Sequence, residues 1–369
     1  LNMEEWPSFS STLSSDTKVN FEYYVGGKAL ENLVIPQNVT RIRKEAFIHG
    51  HNIKTVTFHE SIEYIDEMAF YGCDNLELTS DKLPNYLKSI GYGAFQNCQK
   101  ISKVGIPSSV VNIGHYAFSN CSGLKQCVFA EDIQIDNISS SMFHECKNLE
   151  KITIPSSVTT IEGQAFLGCS KLEKIKIPSS VTIIEGWAFY GCSRLEKISI
   201  PANVTAIGAS AFGGCSNIGE VEFEKESKLT TIESEAFSNC AITSIRIPVG
   251  VTKMGYSALA CPDLVDVTFM GDFGEFESLF GVYNSRARTI TYYACNSTWT
   301  SSAAQKFFSN QNNVTQNPIH MSEDYTVITP ATCTTDGEKS FTCDKCGQAS
   351  TGVIPATGHK LTVKDHKDA

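Results

Sequence analysis

One short phrase recurs down this chain, clearest in Ala165-Phe-Leu-Gly-Cys-Ser-Lys-Leu-Glu-Lys-Ile-Lys-Ile-Pro178 and its near twin from Ala188 to Pro201. Its aromatic anchor falls at Phe47, Phe70, Phe95, Phe118, Phe143, Phe166, Phe189, Phe212 and Phe237, with Leu259 as a degraded tenth copy. The steps are 23 or 25 residues until a last step of 22. A chain patterned this way stacks equivalent coils, so the sequence predicts a repeat solenoid. The same regularity argues against an enzyme, because similar surface positions recur down the stack whereas catalysis needs different groups converging on one point.

Within a unit the apolar residues follow Leu-x-x-Ile-x-Ile-Pro, as at Leu149, Ile152, Ile154 and Pro155. Alternation of the last two is strand periodicity. Proline has no N–H for the ladder and ends the strand, after which Ser-Ser-Val or Ala-Asn-Val turns a corner. The second half, Val158-x-x-Ile161 leading into Ala165-Phe166, supplies another inward pair, predicted as a short strand or helical turn on the opposite wall. A unit of 23 residues cannot bury both walls alone; stacked coils bury them against each other, about 4.8 Å apart. The predicted fold is therefore α/β to mainly β, with parallel strands and about 23 residues per coil.

Ala-Phe-x-x-Cys and Ile-Pro-x-x-Val-x-x-Ile recur together from roughly Leu30 to Phe269, and in this the chain resembles the BspA-like subfamily of leucine-rich repeats. The resemblance implies a right-handed superhelix in a surface protein of a gut or mucosal anaerobe. Family members of this kind are associated with adhesion to matrix proteins, other bacteria or epithelium. Irregular copies mark where the solenoid is modified: an insertion at Leu76–Pro84, no proline after Val128-Phe129, and a longer turn at Glu224–Lys228.

Nine of the 14 cysteines occupy one repeat position, Cys73, Cys98, Cys121, Cys146, Cys169, Cys192, Cys215, Cys240 and Cys261. Cysteine is among the most buried residue types, and parallel side chains on neighbouring coils rarely reach the disulfide dihedral, so this column reads as a ladder of buried free thiols. With 30 basic and 40 acidic side chains the net charge is −10, and no basic nucleic-acid face is present. No apolar run is long enough for a membrane-spanning segment. The start, Leu1-Asn-Met-Glu-Glu, lacks a signal peptide, so the chain reads as mature or trimmed.

Residues 1–29 hold Trp6, Phe9, Phe21, Tyr23 and Tyr24, enough apolar surface for an N-terminal cap over the open first coil. The repeats occupy residues 30–270. Residues 271–320 form the opposite cap, with a final strand at Thr289–Tyr293, a short helix at Ser301–Phe308 begun by a hydroxyl, and a variable loop at Gly271–Arg288. From about Met321 the composition shifts to a small, irregular module, residues 321–369, which resembles modules repeated in tandem in gut-bacterial surface proteins. Its ending at His359-Lys-Leu-Thr looks like a linker into a further copy, so the protein is expected to continue past Ala369.

Two sites carry candidate chemistry. Cys333, Cys343, Cys346 and His359 supply a structural zinc set of three thiolates and one imidazole, or else Cys333 makes a disulfide with Cys343 or Cys346. The spacing leaves both open, and either holds the module's fold. The second is the concave strand face, where outward columns include Lys151, Lys174, Lys176, Lys197, Glu222 and Arg246. Lysines stacked one coil apart repel unless Glu150, Glu173 and Glu196 beside them compensate. His49, His51 and His59 cluster near the first coils but accompany no catalytic motif and read as exposed loop residues. Trp187 is expected on the surface.

The leading functional reading is a secreted or cell-surface binding protein, an adhesin, that presents the solenoid face to an extracellular protein or glycan and needs no cofactor there. The alternative is a spacer of the cell envelope without a specific ligand.

Overall fold

The inward residues of the repeat dictate the architecture, because Leu, Ile, Val, Ala, Phe and Cys return to the same wall in every coil. In the computed structural model, residues 24–25, 28–281, 287–293, 297–311, 313–319, 326–329, 331, 335–343 and 349–354 are described. The chain winds into a parallel-strand β-solenoid of about 12 turns, about 23 residues apart. One wall carries the Leu-x-x-Ile-x-Ile strands, among them Lys103–Ile106, Gln126–Phe129, Lys197–Ile200, Ser244–Ile247 and Asp266–Phe269. The second wall is a run of two-residue strands, and seven of them, from Asn137–Ile138 to Glu275–Phe276, join in one sheet. Register is strict: Ile138 pairs with Ile161, Ile161 with Ile184, and Ile184 with Ile207. A slip of one residue would turn every inward isoleucine to solvent.

The Ala-Phe corner is neither strand nor helix, yet its backbone is satisfied coil to coil. Gln164, Phe166 and Gly168 donate their N–H groups to the carbonyls of Gly186, Ala188 and Tyr190, and Trp187, Phe189 and Gly191 repeat the pattern one coil on. Aligning these donors puts two residues per coil into the left-handed region. One precedes Ala-Phe, as at Gln164 (φ 60°) and Trp187 (φ 57°); the other precedes cysteine, as at Asn120 (φ 56°) and Gly191 (φ 72°). The second site explains the Gly or Asn found there in seven of the repeat coils, Gly72, Asn97, Asn120, Gly168, Gly191, Gly214 and Asn239, since these types adopt that conformation at least cost.

Inside, the nine phenylalanines form one column. Successive ring centroids lie 5.1 to 6.0 Å apart with planes within 16° of parallel, in the range where offset stacking adds to burial. The widest step, Phe118 to Phe143, coincides with the single break in the second wall, between Asn112–Ile113 and Asn137–Ile138.

The stack runs further than the sequence predicts. Residues 271–281, read as loop, continue the coil: Glu275–Phe276 pairs with Lys253–Met254, and Leu259 donates its N–H to Leu279, which puts Leu279-Phe280 in the Ala-Phe position. The strand Arg288–Tyr293 is followed by a further parallel rung, Val314–Ile319, whose Pro318 is tolerated because no strand follows it in that sheet. The helix Ser302–Ser309 is capped by the Ser301 hydroxyl, which accepts from the Ala304 N–H. Trp299 is fully buried, stacks on Tyr292 at 4.9 Å, meets Phe269 and Phe273, and donates its indole N–H to the Gly271 carbonyl. Within the C-terminal module the described residues form an antiparallel sheet of Thr326–Thr329, Gly337–Thr342 and Ala349–Ile354, more regular than the composition implies. Of the N-terminal cap, Tyr24–Val25 pairs with Lys28–Ala29, while Trp6, Phe9, Phe21 and Tyr23 lie outside the described residues.

Candidate functional site: the outward face of the first wall

The thiol column is structural. Each cysteine from Cys73 to Cys261 in the repeat position is buried, and its Sγ donates to the carbonyl of a phenylalanine one coil earlier, at 2.9 to 3.3 Å. Cys73, Cys98, Cys121, Cys146, Cys169, Cys192, Cys215 and Cys240 are free thiols. Burial pushes the thiols of Cys73, Cys121 and Cys215 up to about 12, and those of Cys98, Cys146, Cys169 and Cys192 well above the ordinary range. A thiol held protonated and out of water is neither nucleophile nor ligand.

The outward positions of the first wall stand in aligned columns. Lys103, Gln126 and Lys151 are direct ladder partners, as are Lys197 with Glu220, Ser199 with Glu222, and Arg246 with Thr268. Of the six candidate binding residues, Lys197 and Glu222 bond each other: the Lys197 ammonium lies 2.7 Å from Glu220 and 3.2 Å from Glu222, and hydrogen bonds to both raise its pKa. Arg246 donates to the Met270 sulfur at 3.3 Å. Lys151, Lys174 and Lys176 are exposed and make no ion pair among the described residues. The compensation expected from neighbouring glutamates does not occur. Glu173 turns to Arg194 at 3.2 Å, and Lys197 finds its carboxylates on the following coil.

The rung that carries two of these lysines is also unlike the others. Lys151–Ile152 closes one three-stranded sheet and Lys197–Ile200 opens the next, while residues 174–177 between them belong to neither. No backbone hydrogen bond joins residues 174–177 to the coil on either side, although Ile177 is buried and Ile175 packs on the core.

His49 and His51 are half-buried, which corrects the reading of exposed loop histidines. His51 Nδ1 lies 2.8 Å from an Asp74 carboxylate oxygen, and His49 meets Tyr71 edge-on at 5.1 Å. Burial lowers the His49 pKa. His59 is likewise half-buried and accepts from the Ser61 N–H. Trp187 is exposed, and Tyr190 beside it also stands clear, with its ring packed close over Gly213. Sequence reading passed over Tyr190; its position directly after an inward Phe was the available signal.

Cys343 is buried, packed against Met270 and Ile319 at the end of the solenoid. Cys333, Cys346 and His359 lie outside the described residues. Among the described residues no three His, Cys, Asp or Glu side chains gather as a metal site, and no helix is long and apolar enough to cross a membrane.

Stacked coils with parallel strands on one wall, an inward phenylalanine column and a short, irregular opposite corner define a leucine-rich repeat protein. The chain belongs to the BspA type of leucine-rich repeat region: that family's sequence model matches six copies, over residues 17–135, 74–196, 136–265 and 184–315. Similar solved structures include a leucine-rich repeat protein from Bacteroides ovatus, 22% identical, with a TM-score of 0.48, covering 77% of this chain and 83% of that one. The pneumococcal vaccine antigen PcpA is 19% identical, with a TM-score of 0.49, covering 80% and 91%. A leucine-rich cell surface protein from Faecalibacterium prausnitzii is 22% identical, with a TM-score of 0.44, covering 79% and 88%. No curated protein matches the chain significantly.

Proposed function

We propose that the chain is a surface-displayed or secreted binding protein that uses the outward face of its first wall to hold an extracellular protein or glycan. One observation carries this reading. Inward positions repeat almost without change, whereas the outward column Thr153, Lys176, Ser199, Glu222, Arg246 and Thr268 changes chemistry at every coil, with ladder pairing of Ser199 to Glu222 and of Arg246 to Thr268 fixing its geometry. A face of fixed geometry and variable chemistry binds with little ordering cost. Leucine-rich repeat proteins generally bind protein partners and are generally non-enzymatic, which supports a binding role. We assign the C-terminal module, residues 321–369, to spacing or attachment, stapled by zinc on Cys333, Cys343, Cys346 and His359 or by a disulfide from Cys333 to Cys343 or Cys346. Metal analysis with thiol counting chooses between these staples.

The test is capture of matrix proteins and mucosal glycans by the immobilised full chain, repeated with Thr153→Arg/Ser199→Arg and, as a control on the opposite wall, Thr160→Arg. A partner lost only in the first variant supports the reading. No specific capture, or equal loss in both, supports the spacer, which the internal pairing of Lys88 with Glu63, Lys103 with Asp81 and Lys197 with Glu220 favours.

A further inference from the structure

Three of the large apolar side chains that the solenoid leaves exposed fall on one coil: Ile183 (40%), Trp187 (46%) and Tyr190 (42%). No other eight-residue stretch among the described residues carries more than two. Trp187 is the one exposed indole among them, since Trp299 is fully buried. Its backbone sits in the left-handed region (φ 57°), a conformation costly for a bulky side chain, and the indole adds nothing to the core. The surface around it is almost without charge. Residues 156–170, 179–193 and 202–216, the corresponding stretches of three successive coils, contain no Lys, Arg or Asp and two Glu, in a chain that is 19% charged. Both carboxylates are held by the preceding coil: Glu162 accepts the Ser140 N–H and Glu185 the Gly163 N–H, each at 2.8 Å.

We propose that this corner binds a neutral glycan, stacked on Trp187 and Tyr190 and hydrogen-bonded to Glu185 and Gln164. The site lies apart from the outward face of the first wall and does not depend on it. Sugar C–H groups carry slight positive charge and settle on the negative face of an aromatic ring. The polar groups beside the rings suit hydroxyls. Glu185 stands two residues before Trp187, and its anchored carboxylate keeps further lone pairs to accept from a sugar. Gln164 holds the position of Trp187 one coil earlier; its amide oxygen accepts from the Ser141 hydroxyl at 3.2 Å, which leaves its N–H groups as donors. Small residues leave a ligand room, because the position before Trp187 and its equivalents one coil either side are Gly186, Gly163 and Ala209. The other classes fit less well. A polyanion would find no cation on these three stretches and would face Glu162 and Glu185. An extended peptide would pair its backbone, but the N–H groups of Trp187, Phe189 and Gly191 are already donated to the next coil.

The experiment titrates the full chain with galactomannan, laminarin and dextran, and with anionic polygalacturonate, reading tryptophan fluorescence and affinity electrophoresis. At least one of the three neutral polysaccharides is expected to bind, to shift the emission of Trp187 to shorter wavelength, and to keep its affinity as salt rises. Trp187→Ala/Tyr190→Ala weakens that binding about tenfold or more, while Trp187→Phe keeps most of it and loses the emission shift. Tyr92→Ala/Tyr256→Ala, which removes two other exposed rings, leaves binding unchanged. All the substituted rings are surface side chains, and an unchanged melting temperature certifies the fold of each variant. No binding of any of the three, equal binding of polygalacturonate, or equal binding by Trp187→Ala/Tyr190→Ala would each overturn the assignment. Binding lost in Thr153→Arg/Ser199→Arg but kept in Trp187→Ala/Tyr190→Ala would overturn it too, and would place the glycan on the first wall, whose reading then stands.

Discussion

The two walls of the solenoid share one period and one spacing but differ in continuity. The second wall breaks once along its length, and the first falls into four separate sheets with the rung at residues 174–177 left out. Both walls turn apolar residues inward, although Ile175 at the open rung is less buried than its counterparts Val104, Cys127 and Ile198. Their outward residues are not equivalent. Across the seven-stranded part of the second wall the paired outward positions are Asn137, Thr160, Ile183, Ala206 and Thr231, all uncharged, and the last pair, Lys253 with Glu275, has opposite signs. The first wall instead stacks Lys151, Lys174 and Lys197. Like charges directly opposite destabilise a strand pair, and here they are relieved by Lys197 turning to the next coil and by the ladder opening at Lys174. A repeated core thus secures the coils; at the rung of Lys174 like charge accompanies an open ladder, while between Glu220–Phe223 and Ser244–Ile247 the ladder is open although Glu222 and Arg246 carry opposite signs.

Several experiments break or sharpen this contrast. The largest effect is expected from alkali, which attacks the shared core and both walls with it. The thiols of Cys73, Cys121 and Cys215 titrate near 12 when folded against an ordinary 9.0, so their contribution is complete below about pH 9 and is lost as pH rises toward 12. Each buried thiol forfeits about 1.4 kcal/mol by pH 10, and several together unfold the chain. Melting curves from pH 7 to 10 show the collapse, and Cys121→Ala/Cys215→Ala makes it shallower.

Next in size, Phe189→Ala removes one ring from the centre of the column and should cost about 3–5 kcal/mol in chemical denaturation. Trp299→Ala should cost a similar amount but loosen the C-terminal coils first, which limited proteolysis would reveal as early cleavage after residue 260. The smallest effect has the opposite sign. Lys174→Thr/Lys176→Thr gives the first wall the outward chemistry of the second, and should close the rung and stabilise the chain by about 0.5 kcal/mol. A loss of stability would show that charge is not what opens it.

The core was legible because its residues recur: Phe189, Cys192 and Ile184 are recognisable from Phe166, Cys169 and Ile161. The eleventh coil was missed since Leu279 stands for alanine, no cysteine follows Phe280, and the step from Leu259 shortens to 21 residues. Trp299 was missed because its cluster draws partners from four separate segments, Phe269, Phe273, Tyr292 and Phe308, with no shared spacing. At the candidate face the columns followed from periodicity, but the ion pairs did not. Long charged side chains choose partners by reach and rotamer across coils, so Glu173 beside Lys174 in sequence pairs with Arg194 instead.

Hydrogen exchange of the backbone amides tests the central claim most directly. In the native chain, amides 174–176 should exchange far faster than amides 160–162 and 183–185 of the second wall, and the Lys174→Thr/Lys176→Thr variant should slow them to match. Equal protection of both walls in the native chain, or fast exchange that persists in the variant, would contradict the account.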